Sequence, residues 1–517
     1  MVRLSSAVVL ACAALAACPS VAPPPADGGD DVPPRPSGWL ETAIVVDTSA
    51  VVATVDERYL GYAIDTTQIV GGNWWADNGD VALTDPYDFS RDALHALVAN
   101  GLEGSMLRIG GSEADRVFYD MGDVPLADAP GHYEFVFTRA MFDAMCGFAD
   151  DHDLTLLFTL NAGPGPRDDN LRWTSDNARV LFDAINDTGC PVEVIEFGNE
   201  VNGYRAIHGA DYALTGAEYA EDLAVARALV DELLPGVRLA GPSSAYWPVW
   251  GELAPIMPTF MPEGGHLLDI VTWHYYPQQS HRCPVQVVPT TPTTLQDTAA
   301  LDEIHTWADE VEALTVEHAP DAEVWLGETG HAQCGGEPGV SGTFVSALWW
   351  MDEVGLVARR GQPRIVRQTL SGADYQMIDD VTLQPLPDYF ASVAHRALMG
   401  QQVFDAHLDD DNAPWIRSYA HCAQDGDGVM VLLVNPDRFD DTVVTVAADG
   451  VARDVWLFES GGDDVLATSV TVNGVPWTDG ALPAAQHFPV DGDAWVALPK
   501  ESFAFVHIPD ATGACTP

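Results

Sequence analysis

Eight short apolar runs recur before residue 400, each followed by a stretch with helical spacing. They are Tyr59–Ile64, Ser105–Ile109, Leu154–Leu160, Val192–Phe197, Val237–Ala240, Leu268–Trp273, Glu323–Leu326 and Arg364–Gln368. Between them, residues 176–187 place Ala178, Leu181, Phe182 and Ile185 at i, i+3, i+4 and i+7, one face of a helix. Thr215 and Glu218 form a capping box, in which each side chain satisfies an orphan N–H of the other's segment. That helix is expected to stop at Pro235-Gly236, and residues 301–318 supply a third helix. Parallel strands need long crossovers, and eight β/α units predict a closed (β/α)8 TIM barrel in the α/β class. A doubly wound sheet is the alternative, but no Gly-rich phosphate loop follows the first run.

The pattern changes beyond Gly400. Residues 429–435, 442–447, 454–460, 467–474 and 502–508 are short β-rich runs separated by Asp/Gly turns, the signature of an antiparallel β-sandwich. A β-rich stretch at 44–55 precedes the barrel and is expected to join that sandwich. The expected division is a leader at 1–17, a tether at 18–42, N-terminal sandwich strands at 43–57, the barrel at 58–398 and the sandwich at 399–517. Residues 4–17 are apolar or small and follow Arg3, which suits a secretory signal, and they are too short to span a bilayer. Leu15-Ala16-Ala17-Cys18 resembles a bacterial lipobox, which implies cleavage before Cys18 and lipid on its sulfur; an ordinary signal with a chance Cys is the alternative. The Pro/Asp/Gly-rich segment after it reads as an extended spacer. The expected location is the bacterial cell envelope, at the surface or in the periplasm, with a membrane anchor through Cys18.

Charge limits the partners. The 517 residues hold 23 Lys+Arg against 77 Asp+Glu, a formal net charge of -54, and Lys500 is the only lysine. Nucleic-acid affinity rests on cations neutralising phosphates, so that partner is excluded. Hydrophobic residues at 47% and 15 Trp allow a large core, against disorder. Acid-rich, Lys-poor surfaces also suit salty surroundings. Six cysteines lie beyond the leader, an even number in an oxidising compartment, and no CxxC pair supports a zinc site.

Reactive groups of such barrels sit at the C-terminal ends of strands. The fourth run ends Gly198-Asn199-Glu200 and the seventh Gly327-Glu328, the sixth leads into His274-Tyr275-Tyr276, the second contains Arg108, and the first ends at Asp65. Two carboxylates at one barrel mouth suit glycoside hydrolysis, which needs an acid at the leaving oxygen and a carboxylate at the anomeric carbon. Helix capping by the same acids is the structural alternative. Arg108 is read either as support for the seventh strand's end or as a buried ion-pair partner. Trp74 and Trp75 are read either as sugar-stacking or as core residues. His274 is expected to pack or bond locally, not to bind a metal. The Asp425-Gly-Asp-Gly segment lacks the full ligand spacing of a calcium loop and reads as a turn. No metal or cofactor is expected.

The segments LRIGGSEADRVFYD (107–120), FGNEVNGY (197–204), VTWHYYP (271–277), VWLGETGHAQCGGEPGVSGTF (324–344) and QTLSGADYQMIDDVTLQPLPDYFASV (368–393) resemble glycoside hydrolase family 79, the heparanase and β-glucuronidase family. The resemblance spans roughly residues 44–517. It implies Glu200 as general acid/base, Glu328 as nucleophile and Asn199 on the sugar 2-hydroxyl. Tyr276 would orient Glu328, with Tyr275 as the competing register. Gly335, Gly336 and Tyr375 would hold a uronate carboxylate, and Asp65 would bind hydroxyls of the same sugar. A plain turn and a core tyrosine are the alternatives for the glycines and for Tyr375. The resemblance also implies a Cys422–Cys515 disulfide. Cys283 and Cys334, on the loops after the sixth and seventh strands, are expected to pair and brace the cleft, which leaves Cys146–Cys190. The chain departs from the heparan-sulfate-cleaving branch in its negative field and its short connection at about 121–140. The expected protein is therefore an uncut, monomeric, retaining β-glucuronidase-like hydrolase that releases glucuronic acid, or its 4-O-methyl form, from a glycan. A neutral-sugar barrel glycosidase and a noncatalytic glycan-binding lipoprotein are the alternatives.

Overall fold

Eight parallel strands close on themselves in the computed structural model, which describes residues 35–75, 81–447, 453–478, 480–488, 495–509, 511 and 513–515. The leader, Cys18 and most of the tether lie outside the described residues. The barrel strands are β1 (Leu60–Asp65), β2 (Met106–Gly110), β3 (Thr155–Leu160), β4 (Val192–Phe197), β5 (Arg238–Trp247), β6 (Ile270–Tyr275), β7 (Glu323–Thr329) and β8 (Ile365–Arg367). Their order is β4-β3-β2-β1-β8-β7-β6-β5, and β5 pairs β4 to close the ring. All eight expected runs are strands. The main difference is β5, which runs on to Trp247 and folds back as a hairpin through Gly251–Glu252. Helices Asp176–Thr188 and Gly216–Leu233 stand where the periodicity put them, and Thr215 and Glu218 make the reciprocal capping bonds.

Side chains alternate along a strand, and the barrel interior follows that period of two. Met106, Leu157, Val194, Ala240, Ile270 and Trp325, one from each of β2 to β7, form a closed apolar layer low in the barrel. Two residues further along β2 and β4, Arg108 and Glu196 occupy the next layer up, fully buried. An apolar floor thus lies beneath a charged layer that opens at the mouth.

The chain's two ends build one mainly antiparallel sheet system. Residues 40–47 pair antiparallel with 399–408 and parallel with 442–447, so the early strand is incorporated as expected. Strands 429–435 and 502–508 form its centre. Val431 and Leu433 point into the sandwich interior, whereas Met430, Leu432 and Val434 join the barrel-side core. Burial on both faces explains why that run is apolar throughout rather than alternating. Helix Phe344–Arg359 is almost wholly buried between the two bodies. In the run at 467–474 only 470–472 is a strand; the chain then reverses at Asn473-Gly474, both φ positive as a tight hairpin requires, into a second strand at 475–477. Strands 399–408 and 417–423 were not anticipated, because their Gln, Asp and His residues obscure the alternation.

Candidate active site

Glu328 owes its position to an irregularity. Trp325 points into the barrel, so strict alternation would turn Glu328 outward. Pairing with β6 slips by one residue at Gly327, because Trp273 faces Leu326 while His274 faces Glu328. Such a bulge re-aims the side chain that follows it. A Cβ on Gly327 would stand 3.2 Å from Thr272 and 3.5 Å from Glu196 Oε1, so a larger residue would crowd the charged layer. Glu200 is placed differently. It is the first residue beyond the turn after β4, with φ 47° and ψ 51°, and its N–H donates to Ser243 O at 3.0 Å. A non-glycine residue in the left-handed region is uncommon and clusters at functional sites.

Arg108 organises the buried layer. Its guanidinium donates to Glu196 Oε2 from Nε at 2.9 Å, to Glu328 Oε2 from Nη1 at 2.5 Å and to Asn199 Oδ1 from Nη2 at 2.8 Å. Tyr276 Oη donates to the other oxygen of Glu328 at 2.7 Å. Tyr276 is therefore the tyrosine that meets Glu328, not Tyr275. His274 is fully buried between the acids, with Nδ1 3.4 Å from Glu200 Oε1 and 3.8 Å from Glu328 Oε2. Burial pushes the Glu328 carboxyl up, but His274, Arg108 and the Tyr276 phenol together hold it below the ordinary glutamate range. Burial and Glu328 keep Tyr276 protonated well beyond its usual range, so it acts as a donor.

A cavity of about 460 Å³ opens above this layer. Asp65, Asn199, Glu200, Tyr276, Glu328 and Tyr375 all line it, with Trp74 and Trp75 on one wall. Gly335 and Gly336 are not among the lining residues. They sit behind the wall with φ 79° and 85°, where a Cβ would meet Trp75 at 2.4 Å and Tyr375 N at 2.7 Å. They let the loop pass close to the Trp75 ring and the Tyr375 backbone. Arg282 donates to both glycine carbonyls at 3.4 Å and pairs with Asp374 at 2.5 Å. Asp65 also caps the helix Thr66–Val70, accepting from Thr67 N at 3.0 Å. Burial and the nearby Glu113 push its carboxyl well above the ordinary range. Asn199 is fixed from behind by Asp115, which accepts from the Asn199 N–H at 3.0 Å.

Several contributors were not singled out from the sequence. Gln368, Ser112, Glu113 and Trp247 line the cavity, and Asp115 supports it. Ser112, Glu113 and Asp115 follow Gly110-Gly111 directly, and that proximity to a strand end was a usable signal. Trp247 carried none, because the fifth run seemed to end at Ala240. The three cysteine pairs are Cys146–Cys190, Cys283–Cys334 and Cys422–Cys515, with Cα separations of 5.2, 5.5 and 5.5 Å. Cys334 and Pro284 line the cavity, so the second bridge lies at the cleft.

Glu200, His274 and Glu328 bring possible ligand atoms within 4.8 Å of one another. Both oxygens of Glu328 are already engaged, one by a guanidinium whose charge would repel a cation. The donor set suits proton transfer and nucleophilic attack better than metal ligation.

The model of the family described as "Glycosyl hydrolase family 79, N-terminal domain" matches residues 41–355. The chain is 29% identical to the mouse (Mus musculus) protein named heparanase, over 92% of this chain and 95% of the relative. It is 26% identical to heparanase-like protein 1 of Arabidopsis thaliana, over 78% and 75%. Human inactive heparanase-2 is 25% identical over 72% and 64%. Among solved structures, a 4-O-α-L-rhamnosyl-β-D-glucuronidase from Fusarium oxysporum superposes with a TM-score of 0.65 at 17% identity, covering 90% of this chain and 100% of that one. An α-L-arabinofuranosidase from Thermotoga maritima gives 0.63 at 15% identity, over 90% and 99%. At those identities the structural likeness speaks for the fold alone, whereas the family match covers more than half of the chain: the protein is a glycosidase belonging to glycosyl hydrolase family 79.

Proposed function

We propose that the chain is a retaining β-glucuronidase-like hydrolase working through Glu200 and Glu328. The carrying observation is the closeness of the two acids, whose oxygens lie within 4.8 Å. Retaining enzymes hold the pair about 5–5.5 Å apart, whereas inverting ones leave about 6.5–9.5 Å for a water. In the first step a Glu328 oxygen bonds the anomeric carbon as the bond to the leaving oxygen breaks, and Glu200 gives that oxygen its proton. In the second, Glu200 takes a proton from water, the water oxygen attacks the anomeric carbon, and the ester to Glu328 breaks. Arg108 and Tyr276 keep Glu328 ionised and aimed. Arg108 engages Asn199 Oδ1, which leaves the Nδ2 group as donor to the 2-hydroxyl.

The uronate reading draws support from Tyr375 and Gln368, a phenol and an amide on the cavity wall. Gly335 and Gly336 serve this subsite by holding Tyr375, with Arg282 beneath them. The negative field and the absence of Lys and Arg among the cavity-lining residues argue against a sulfated polymer. Released glucuronic acid, or its 4-O-methyl form, is the product on this reading.

p-Nitrophenyl β-D-glucuronide and the corresponding glucoside test it. Turnover of the glucuronide is expected, together with a covalent fluoroglycosyl adduct on the Glu328 peptide after treatment with a 2-fluoro glucuronide. Preference for the glucoside would point to a neutral-sugar enzyme, and sugar binding without turnover to a noncatalytic glycan-binding lipoprotein. The envelope reading, with lipid on Cys18 and a monomeric, uncut body, is likewise a proposal. Among the described residues no helix is long and apolar enough to cross a membrane. Metabolic labelling with a fatty acid, lost in Cys18→Ala, would support the anchor; unlabelled protein would dismiss it.

A further inference from the structure

The hairpin that extends β5 carries large apolar side chains that the reaction scheme does not use. Val249 is 60% exposed, Trp250 50% and Leu253 37%, an unusual cluster beside a catalytic cleft. Trp247 and Trp250 lie nearly parallel, 18° between planes and 6.4 Å between centroids. Trp247 lines the same cavity as Glu200 and Glu328, so the exposed ring continues the cavity outward.

The hairpin is built firmly. Trp247 pairs Gly251 and Tyr246 pairs Glu252. Val249 adopts φ 67°, a conformation that β-branched residues avoid, and its N–H bonds to Glu303. Glu252 accepts from Ser244 Oγ at 2.5 Å and from the backbone N–H groups of Ile256 and Met257. Asn202, two residues after Glu200, bonds Ala245 N, Ala245 O and Leu253 O, each at 3.0 Å. The aromatic pair is thereby fixed relative to the acid/base.

Its side of the cleft follows from the barrel order. Trp74 and Trp75 follow β1, Tyr276 follows β6, Gly335 follows β7 and Tyr375 follows β8. Trp74, Tyr276 and Tyr375 cluster on one wall. β5 lies opposite β1, between β6 and β4, and so next to Glu200. The group protonated by Glu200 is the leaving oxygen, so what lies beyond Glu200 meets the leaving group.

We infer that Trp247 and Trp250 form a shelf for the leaving-group sugar, and that this sugar is an uncharged pyranose. The inference rests on the hydrolase reading above. Flat aromatic faces suit the C–H faces of pyranoses. Among the described residues no Lys or Arg lines the cavity, while Glu303 and Glu252 anchor the hairpin, so a sulfated or carboxylated sugar finds no cation among them. The substrate class is a β-linked glucuronic acid residue borne on a neutral glycan.

The test compares two donors. β-D-Glucuronyl fluoride presents only fluorine to the shelf, while a neutral oligosaccharide bearing a β-linked glucuronic acid covers it. In Trp250→Ala the ratio of kcat/KM for the oligosaccharide to that for the fluoride should fall about tenfold, about 1.4 kcal/mol, within the range for an aromatic contact. Trp250→Phe should restore most of it. Trp250 is half exposed, so the substitution leaves the core intact. A ratio within twofold of wild type overturns the shelf while leaving the hydrolase reading in place. Wild-type protein inert toward the fluoride defeats that reading instead. The shelf is then decided by tryptophan-fluorescence titration of Glu328→Gln with xylotetraose: binding that weakens about tenfold when Trp250→Ala is added supports it, and absent or unaltered binding overturns it.

Discussion

The two ends of the barrel both bury arginine among glutamates, with opposite consequences. At the underside, the guanidinium carbons of Arg238 and Arg364 each lie 4.8 Å from the Trp325 ring. Arg238 pairs with Glu193 and Glu323, and Arg364 with Glu193 and Asp56. Two cations and three carboxylates close into a lattice over an apolar floor. At the mouth, Arg108 bridges Glu196 and Glu328, His274 and Tyr276 stand against Glu328, and Glu200 faces the cavity. Each underside carboxylate has a guanidinium partner. At the mouth Glu200, beside the His274 ring at 3.4 Å, opens onto the cavity. The same residue types give a closed network at one end and an acid open to the cavity at the other.

The largest expected contrast is at the mouth. Glu328→Gln should lower turnover by at least about three orders of magnitude, as expected for loss of a covalent nucleophile, with little change in melting temperature because Arg108 keeps Glu196. Activity within tenfold of wild type would remove Glu328 from its role. Arg108→Met should cost both turnover and stability, about 3–5 kcal/mol, because it leaves two buried carboxylates facing each other unpaired. Urea denaturation reads the second effect. A variant as stable as wild type would show that the layer carries no net burial penalty.

At the underside the same kind of substitution should separate the two quantities. Arg364→Met removes one guanidinium from Trp325 and one partner from Glu193, and a loss of about 1–3 kcal/mol is expected with kcat/KM unchanged. Burial would raise the Glu193 carboxyl, but Arg364, Thr155 and Arg238 hold it below the ordinary range. A depressed carboxyl contributes stability above its unfolded pKa and loses it as pH falls through the folded value. The gap between variant and wild type should therefore be full at neutral pH and shrink in acid below about pH 4.5. A gap that grows in acid, or a change in kcat/KM, would break the division between the two ends.

Much of this contrast was legible beforehand, for reasons that differ by region. The barrel strands are buried on both faces, so their apolar runs stand out, and the strand-end rule then brings Glu200, Glu328, Asp65 and Tyr276 to one mouth. The bulge at Gly327 was hidden because a one-residue slip leaves no compositional trace. His274, expected to pack or bond locally, is buried between the two acids, a placement set by the facing strand and not by its own neighbours. Gly335 and Gly336, read as holding the uronate carboxylate, pack tightly against Trp75 and Tyr375 and are not among the residues lining the cavity. The Trp247–Trp250 shelf was missed because β5 carries Gly241, Pro242, Ser243 and Ser244, which read as a loop.

The smallest effect is the most informative about how the mouth is tuned. Tyr276→Phe deletes one hydrogen bond to Glu328 and keeps the ring, so a loss of about tenfold in kcat is expected. The phenol stabilises only the ionised carboxylate, because it donates to Glu328 Oε1. Its removal should raise the Glu328 pKa from its depressed position. Glu328 must be ionised to attack, so the acid limb of the kcat/KM profile should move to higher pH in the variant. The ratio of wild-type to variant rate should then grow as pH falls and level off once both carboxylates are ionised. Tyr375→Phe removes a phenol that lines the same cavity but is not bonded to Glu328 in this structure, and it should lower kcat/KM with its acid limb in place. Parallel pH profiles for Tyr276→Phe and wild type would mean that Arg108 and His274 suffice to hold Glu328 ionised, and that Tyr276 contributes shape alone.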